Sequence, residues 1–190
     1  METKNIMIVG VGGQGSLLAS RILGHLFLKE GYDVKVSEVH GMSQRGGSVV
    51  TYVRYGDKVY SPIIDEGEAD FIVSFELMEA ARWMKYLKKD GTIVTNLQRI
   101  DPMPVILGDQ EYPEDLIEKM REKGVKVDGL DCLKLSKEAG NVKAVNVVLL
   151  GRLSHYFDIP DAAWEESLKA NVPAKLIDVN KRAFELGRGA

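Results

Sequence analysis

The residues best suited to chemistry lie near the amino terminus, where Gly10-Val11-Gly12-Gly13-Gln14-Gly15 follows the apolar run Ile6-Met7-Ile8-Val9. The spacing fits G-x-G-x-x-G, which lets backbone approach a phosphate at the positive end of a helix. Glu38 ends the next strand-like stretch, where an acid would hold a ribose in a dinucleotide-binding protein. Taken alone, Gly12, Gly13, Gln14, Gly15 and Glu38 favour a nucleotide site. The same glycines would equally serve a tight, ligand-free turn from strand to helix. A Walker phosphate loop is excluded, because Gly15 is followed by Ser16-Leu17 and not by Lys and then Ser or Thr.

A second concentration of polar groups follows at His40-Gly41-Met42-Ser43-Gln44-Arg45-Gly46-Gly47. Imidazole, hydroxyl, carboxamide and guanidinium groups among glycines suit an anionic or polar ligand, and the planar fork of Arg45 suits a phosphate or carboxylate. An exposed loop or a partner contact would look the same. Glu38, His40 and Ser43 invite a hydrolase reading, but no nucleophile-elbow spacing accompanies them. With Gln44 and Arg45, the expected rim is therefore Gly12, Gly13, Gln14, Gly15, Glu38, His40, Gln44 and Arg45, with no catalytic residue assigned. The acidic run Asp65 to Asp70 lacks calcium-loop spacing and reads as a solvated turn. Asn146, inside an apolar helical run, reads either as a functional polar group or as a hydrogen-bonded packing residue.

These residues need elements to position them. Ser16 to Glu30 sets Leu18, Ala19, Ile22, Leu23, Leu26 and Phe27 along one helical stripe, and Asp33 to Glu38 alternates like a strand, so the first 38 residues make a βαβ unit. Ser48 to Tyr55 is a strand rich in β-branched and aromatic residues, and Gly56-Asp57-Lys58 would turn it into Val59-Tyr60-Ser61 as a hairpin. Strand and helix then alternate: Asp70 to Phe75, Leu77 to Leu87, Thr92 to Asn96, Met103 to Leu107 near an edge, Pro113 to Lys123 and Val125 to Val127. A helix is expected from about Val142 to Phe157, with helical segments opening at Asp161 and Pro173. The expectation is an α/β fold: a doubly wound, Rossmann-like, mostly parallel sheet with an antiparallel hairpin and C-terminal helices, in one domain over residues 1–190.

Composition narrows the function. The 25 basic and 28 acidic residues leave a formal charge of −3, without the footprint that tracks nucleic acid or an anionic membrane. The N-terminal residues run straight into a strand with no signal-like apolar core, and Ala144 to Leu150 falls far short of the roughly 20 residues of a spanning helix. A cytoplasmic location is expected. A single cysteine, Cys132, excludes an internal disulfide, and with His25, His40 and His155 it shows no ligand spacing for zinc or an iron–sulfur cluster. Cys132 reads as a small buried apolar side chain. No metal site is expected in this chain.

The glycine turn, followed by Ser37-Glu38-Val39-His40-Gly41-Met42-Ser43-Gln44-Arg45-Gly46-Gly47-Ser48-Val49, resembles the γ-type subunit of 2-oxoacid:ferredoxin oxidoreductases, most closely that of the indolepyruvate enzymes. The likeness continues through Tyr60 to Ile64, Asp70 to Glu76 and the tail Asn180 to Gly187. The long loop is its most specific part. The resemblance implies a small subunit that assists the conversion of a 2-oxoacid and coenzyme A to an acyl-CoA and carbon dioxide, with electrons passed to ferredoxin. Thiamine diphosphate, its divalent metal and the iron–sulfur clusters would then reside on a larger partner subunit, with coenzyme A as cosubstrate. The residues agree: one thiol cannot ligate a cluster, and no Gly-Asp-Gly with a downstream Asn is present to hold thiamine diphosphate through a metal. A vacated partner surface would favour self-association of the isolated subunit. The competing readings are a stand-alone nicotinamide- or flavin-binding oxidoreductase and a purely structural subunit.

Overall fold

The computed structural model describes residues 1–38 and 47–190. Its strands are β1 (Lys4–Val11), β2 (Asp33–Glu38), β3 (Ser48–Gly56), β4 (Ala69–Ser74), β5 (Leu87–Asn96) and β6 (Lys126–Leu130). The helices are α1 (Ser16–Lys29), α2 (Leu77–Trp83), the single turn α3 (Met103–Ile106), α4 (Leu116–Glu122), α5 (Cys132–Ala139), α6 (Val145–Leu153), α7 (Asp161–Asn171) and α8 (Ile177–Gly189).

All six strands form one sheet in the order β2-β3-β1-β4-β5-β6. β1, β4, β5 and β6 are parallel, which explains the continuous apolar run Ile6 to Val9: a parallel strand covered on both faces is apolar at every position. Its side chains alternate between two cores. Ile6 and Ile8 join α1, α5, α6, α7 and α8 on one face, while Met7 and Val9 join α2 and α4 on the other. The layer carrying α6 and α8 packs especially closely. A Cβ at Gly151 would collide with the Phe184 carbonyl oxygen, and one at Gly187 with that of Val148.

The doubly wound α/β expectation holds, but three local readings are corrected. β3 pairs antiparallel with both β1 and β2, so the first βαβ unit does not place its strands side by side. The antiparallel hairpin is β2 with β3. Residues 59–61 form no strand: Asp33 Oδ2 accepts from the Val59 amide (2.9 Å), and the Arg54 guanidinium donates to the carbonyls of Ser61 (3.1 Å) and Ile63 (2.5 Å). Met103 to Leu107 is no edge strand either. Pro102 caps α3 and Pro104 lies in its first turn, where a fixed φ and a missing N–H suit a helix start.

Candidate functional site

The glycine loop is shaped by backbone and packing together. Gly13 and Gly15 have φ of 101° and 89°, values that side chains at Cβ disfavour. At the N-cap of α1, the Gly15 carbonyl accepts from Leu18 N and Ala19 N, each 3.2 Å, and from Asn146 Nδ2 at 3.2 Å. A Cβ on Gly15 would lie 2.5 Å from that same Nδ2. Asn146, whose Oδ1 accepts from Val147 N (2.9 Å), is thus a buried, hydrogen-bonded packing residue that ties α6 to the loop.

Gln14 turns inward as a tie. Its Oε1 accepts from Val11 N (2.7 Å) and its Nε2 donates to the Phe75 carbonyl (3.0 Å), joining the carboxyl ends of β1 and β4. Gly10 makes room for it, since a Cβ there would sit 2.8 Å from Gln14 Oε1. The Gly12 amide donates to the Gly47 carbonyl (2.8 Å), so the end of the long polar loop is fastened to the glycine loop. Sequence reasoning expected both motifs on one rim, and this bond brings their described ends together. His40, Gln44 and Arg45 lie outside the described residues.

Two hollows flank the loop. One, of about 250 Å³, is bounded by Gly12, Gly13, Gly15, Ser16, Leu17, Val49 and Thr51. The other, of about 510 Å³, lies among Gly13, Gln98, Leu133, Val142, Lys143 and their neighbours. Among the described residues, the Ser16 and Leu17 amides have no acceptor, and the first turn of α1 holds no acidic side chain. The positive end of α1 therefore faces the first hollow with no acidic side chain in its own first turn, an arrangement that suits an anionic group.

Glu38 is paired with Thr51, which lines this hollow, but it is not on the strand next to the glycine loop, where a ribose-binding acid would stand. It pairs with Thr51 of β3, which pairs with Ile8 of β1, so Glu38 stands two strands, about 9–10 Å, from β1. Its Oε1 lies 2.9 Å from the Ser20 hydroxyl on α1.

Several organising residues at the same edge escaped sequence reasoning. Glu76, fully buried after β4, accepts from Glu79 N (2.9 Å), Ile100 N (3.2 Å) and the Tyr112 hydroxyl (2.6 Å). Burial, reinforced by that bond to Glu76, pushes the Tyr112 hydroxyl well above its ordinary pKa. Glu79, also buried, accepts from Arg82 Nε (3.0 Å), Trp83 Nε1 (3.2 Å) and the Ser48 hydroxyl that opens β3. Asn96 donates to the Phe75 carbonyl (3.1 Å) and accepts from Cys132 N (3.2 Å). Cys132 is buried, and burial drives its thiol pKa sharply up, away from the reactive thiolate. An acid directly after a buried strand, three residues before another, was the available signal for Glu76.

Among the described residues, no group of three or more His, Cys, Asp or Glu side chains is placed to hold a metal ion, and no helix is long and apolar enough to cross a membrane. The class so defined is a doubly wound α/β protein with an antiparallel strand inserted beside β1 and its glycine loop on the carboxyl edge. The chain belongs to the pyruvate ferredoxin/flavodoxin oxidoreductase family, whose model matches residues 5–190. It is 49% identical to the indolepyruvate oxidoreductase subunit IorB of Thermococcus kodakarensis, over 98% of this chain and 95% of that one. The subunit of the same name from Archaeoglobus fulgidus is 38% identical over 96% of this chain and 92% of its own. The fold also matches a 2-oxoglutarate:ferredoxin oxidoreductase from Magnetococcus marinus with a TM-score of 0.76 and 21% identity, covering all of this chain but 31% of that larger one.

Proposed function

We propose that this chain is the small subunit of an indolepyruvate-type 2-oxoacid:ferredoxin oxidoreductase, acting as one γ-type domain over residues 1–190 in the cytoplasm. The observation that carries the reading is a collinear, nearly full-length match to IorB subunits, at 49% identity in the Thermococcus relative. The chemistry of decarboxylation and electron transfer is supplied by thiamine diphosphate, a divalent metal and iron–sulfur clusters on a larger partner subunit. Cys132, the one thiol in the sequence, is buried behind Asn96 and offers no cluster a set of ligands.

In this reading the chain's own residues form a wall of the shared active site. Gly12, Gly13, Gln14 and Gly15, with Glu38, His40, Gln44 and Arg45, make its rim, Gln14 by bracing the loop and the amides at the start of α1 by attracting an anionic part of coenzyme A or of the 2-oxoacid. Support for a stand-alone dinucleotide-binding enzyme is weaker, because β3 separates Glu38 from the strand that carries the glycine loop. The test is anaerobic purification from the native cells. A larger thiamine- and iron–sulfur-containing polypeptide should accompany this chain, and the complex should reduce ferredoxin in the presence of an arylpyruvate and coenzyme A. A chain that purifies alone, inert toward 2-oxoacids and binding a dinucleotide tightly, would overturn the proposal.

A further inference from the structure

The excursion between β5 and α4 carries a surface that the fold itself leaves unused. Both of its ends are fastened to Glu76, through Ile100 N and the Tyr112 hydroxyl, and Leu77 N donates to the Gln98 carbonyl (3.0 Å). The Arg99 guanidinium lies over the Tyr112 ring, 4.3 Å from its centre. Behind α3, the amides of Asp109 and Gln110 both reach the Pro104 carbonyl, at 2.8 and 3.1 Å. The turn is thus a braced projection. Yet Met103, Ile106 and Leu107 are 61%, 64% and 67% exposed, and their i, i+3, i+4 spacing puts them on one face. Contiguous apolar side chains on a rigid exposed support mark a place where another molecule packs.

Charge identifies the occupant. Asp109, Glu111, Glu114 and Asp115 follow the apolar turn along the chain, Glu114 within electrostatic reach of Arg99, and none of the four forms an ion pair among the described residues. A second copy of this chain docking through the same face would set one acidic collar against another, because a two-fold contact presents each surface to itself. The complementary surface is an apolar groove rimmed by Lys and Arg. In the Magnetococcus protein this fold makes up 31% of a larger chain, so the fold is compatible with a large adjoining body.

We infer that α3 and its acidic collar are the docking knob by which this chain seats in a basic-rimmed apolar groove of the larger oxidoreductase subunit. The inference rests on the subunit reading above. It would also turn the glycine edge toward the partner, since α3 follows the carboxyl end of β5 and the glycine loop follows that of β1.

The test measures the affinity of purified small subunit for the larger subunit, anaerobically and at several salt concentrations. Ile106→Asp with Leu107→Asp should weaken binding by roughly 100-fold, as expected for removing central apolar anchors, and leave the melting temperature of the isolated subunit unchanged. Asp109→Lys with Glu111→Lys should slow association and flatten its salt dependence. Leu28→Asp, at an exposed apolar site on α1, is the control and should bind as wild type. If wild type itself fails to bind, the subunit reading falls. If wild type binds and the α3 and collar variants bind equally well, the docking inference falls alone. Loss of self-association with unchanged binding to the larger subunit would also overturn it, naming a second copy as the occupant.

Discussion

Gly15→Ala tests the geometry of the loop because the structure resists it in two separable ways. At φ 89° an alanine carries the left-handed penalty of about 1–2 kcal/mol. Its Cβ would also come within 2.5 Å of Asn146 Nδ2, forcing the carboxamide off the Gly15 carbonyl, a hydrogen bond worth about 0.5–1.5 kcal/mol. The two contributions add to about 1.5–3.5 kcal/mol, which for a chain of this size lowers the melting temperature by roughly 3–14 °C. Asn146→Ala removes the same bond and the one to Val147 N, and should cost about 1–3 kcal/mol. In the double variant the obstacle is gone, and only the backbone strain of the substituted glycine adds to the loss of Asn146. Urea unfolding followed by circular dichroism should therefore give a double-variant cost smaller than the sum of the singles by about 1 kcal/mol. Strict additivity with unchanged m values would refute the reasoning, since it would mean that a Cβ at position 15 never meets Asn146.

Two further outcomes follow from other contacts. Tyr112→Phe removes the hydroxyl that donates to Glu76 and accepts from Met78 N, leaving a buried carboxylate short of a donor; it should cost about 1–3 kcal/mol and speed hydrogen exchange over residues 98–112 without touching β1, and equal exchange in both proteins would contradict the bracing. Glu165 is held down at about 2 by hydrogen bonds from Lys169 and Lys181. Because its folded pKa is depressed, the stabilisation exists above the ordinary carboxylate range and is lost as pH falls from that range toward about 2. Glu165→Gln should flatten this acid limb in a plot of melting temperature against pH, and parallel curves for the two proteins would refute it.

Much of the fold was legible because its signals are local. Ile6 to Val9 reads as a doubly covered strand from four consecutive apolar residues, and the Leu18 to Phe27 stripe reads as a helix from its period. Gly13 and Gly15 mark positions where backbone geometry demands glycine. The failures are tertiary. Met103 to Leu107 is a short apolar run, which periodicity cannot assign, and the deciding facts are Pro104 in the first turn and the closure of Asp109 and Gln110 onto the Pro104 carbonyl. Glu76 is marked in sequence only by its place after a buried strand, because two of its three donors come from residues 24 and 36 positions further on.

The insertion of β3 bears most directly on function. A glycine loop with a downstream acid implies a dinucleotide only if the strand bearing the acid lies next to the strand bearing the loop. Local pattern predicts that Asp33 to Glu38 is a strand, but not which strand it neighbours, since pairing order depends on contacts far along the chain. Here the intervening strand brings Gly47 onto the Gly12 amide and sends Glu38 toward Ser20. The glycine loop is thereby tied to Gly47, at the entry to β3, and not to an acid on a neighbouring strand. The glycines alone describe only a tight turn, and it is the bond from the Gly12 amide to Gly47 that sets the entry to β3 against that turn.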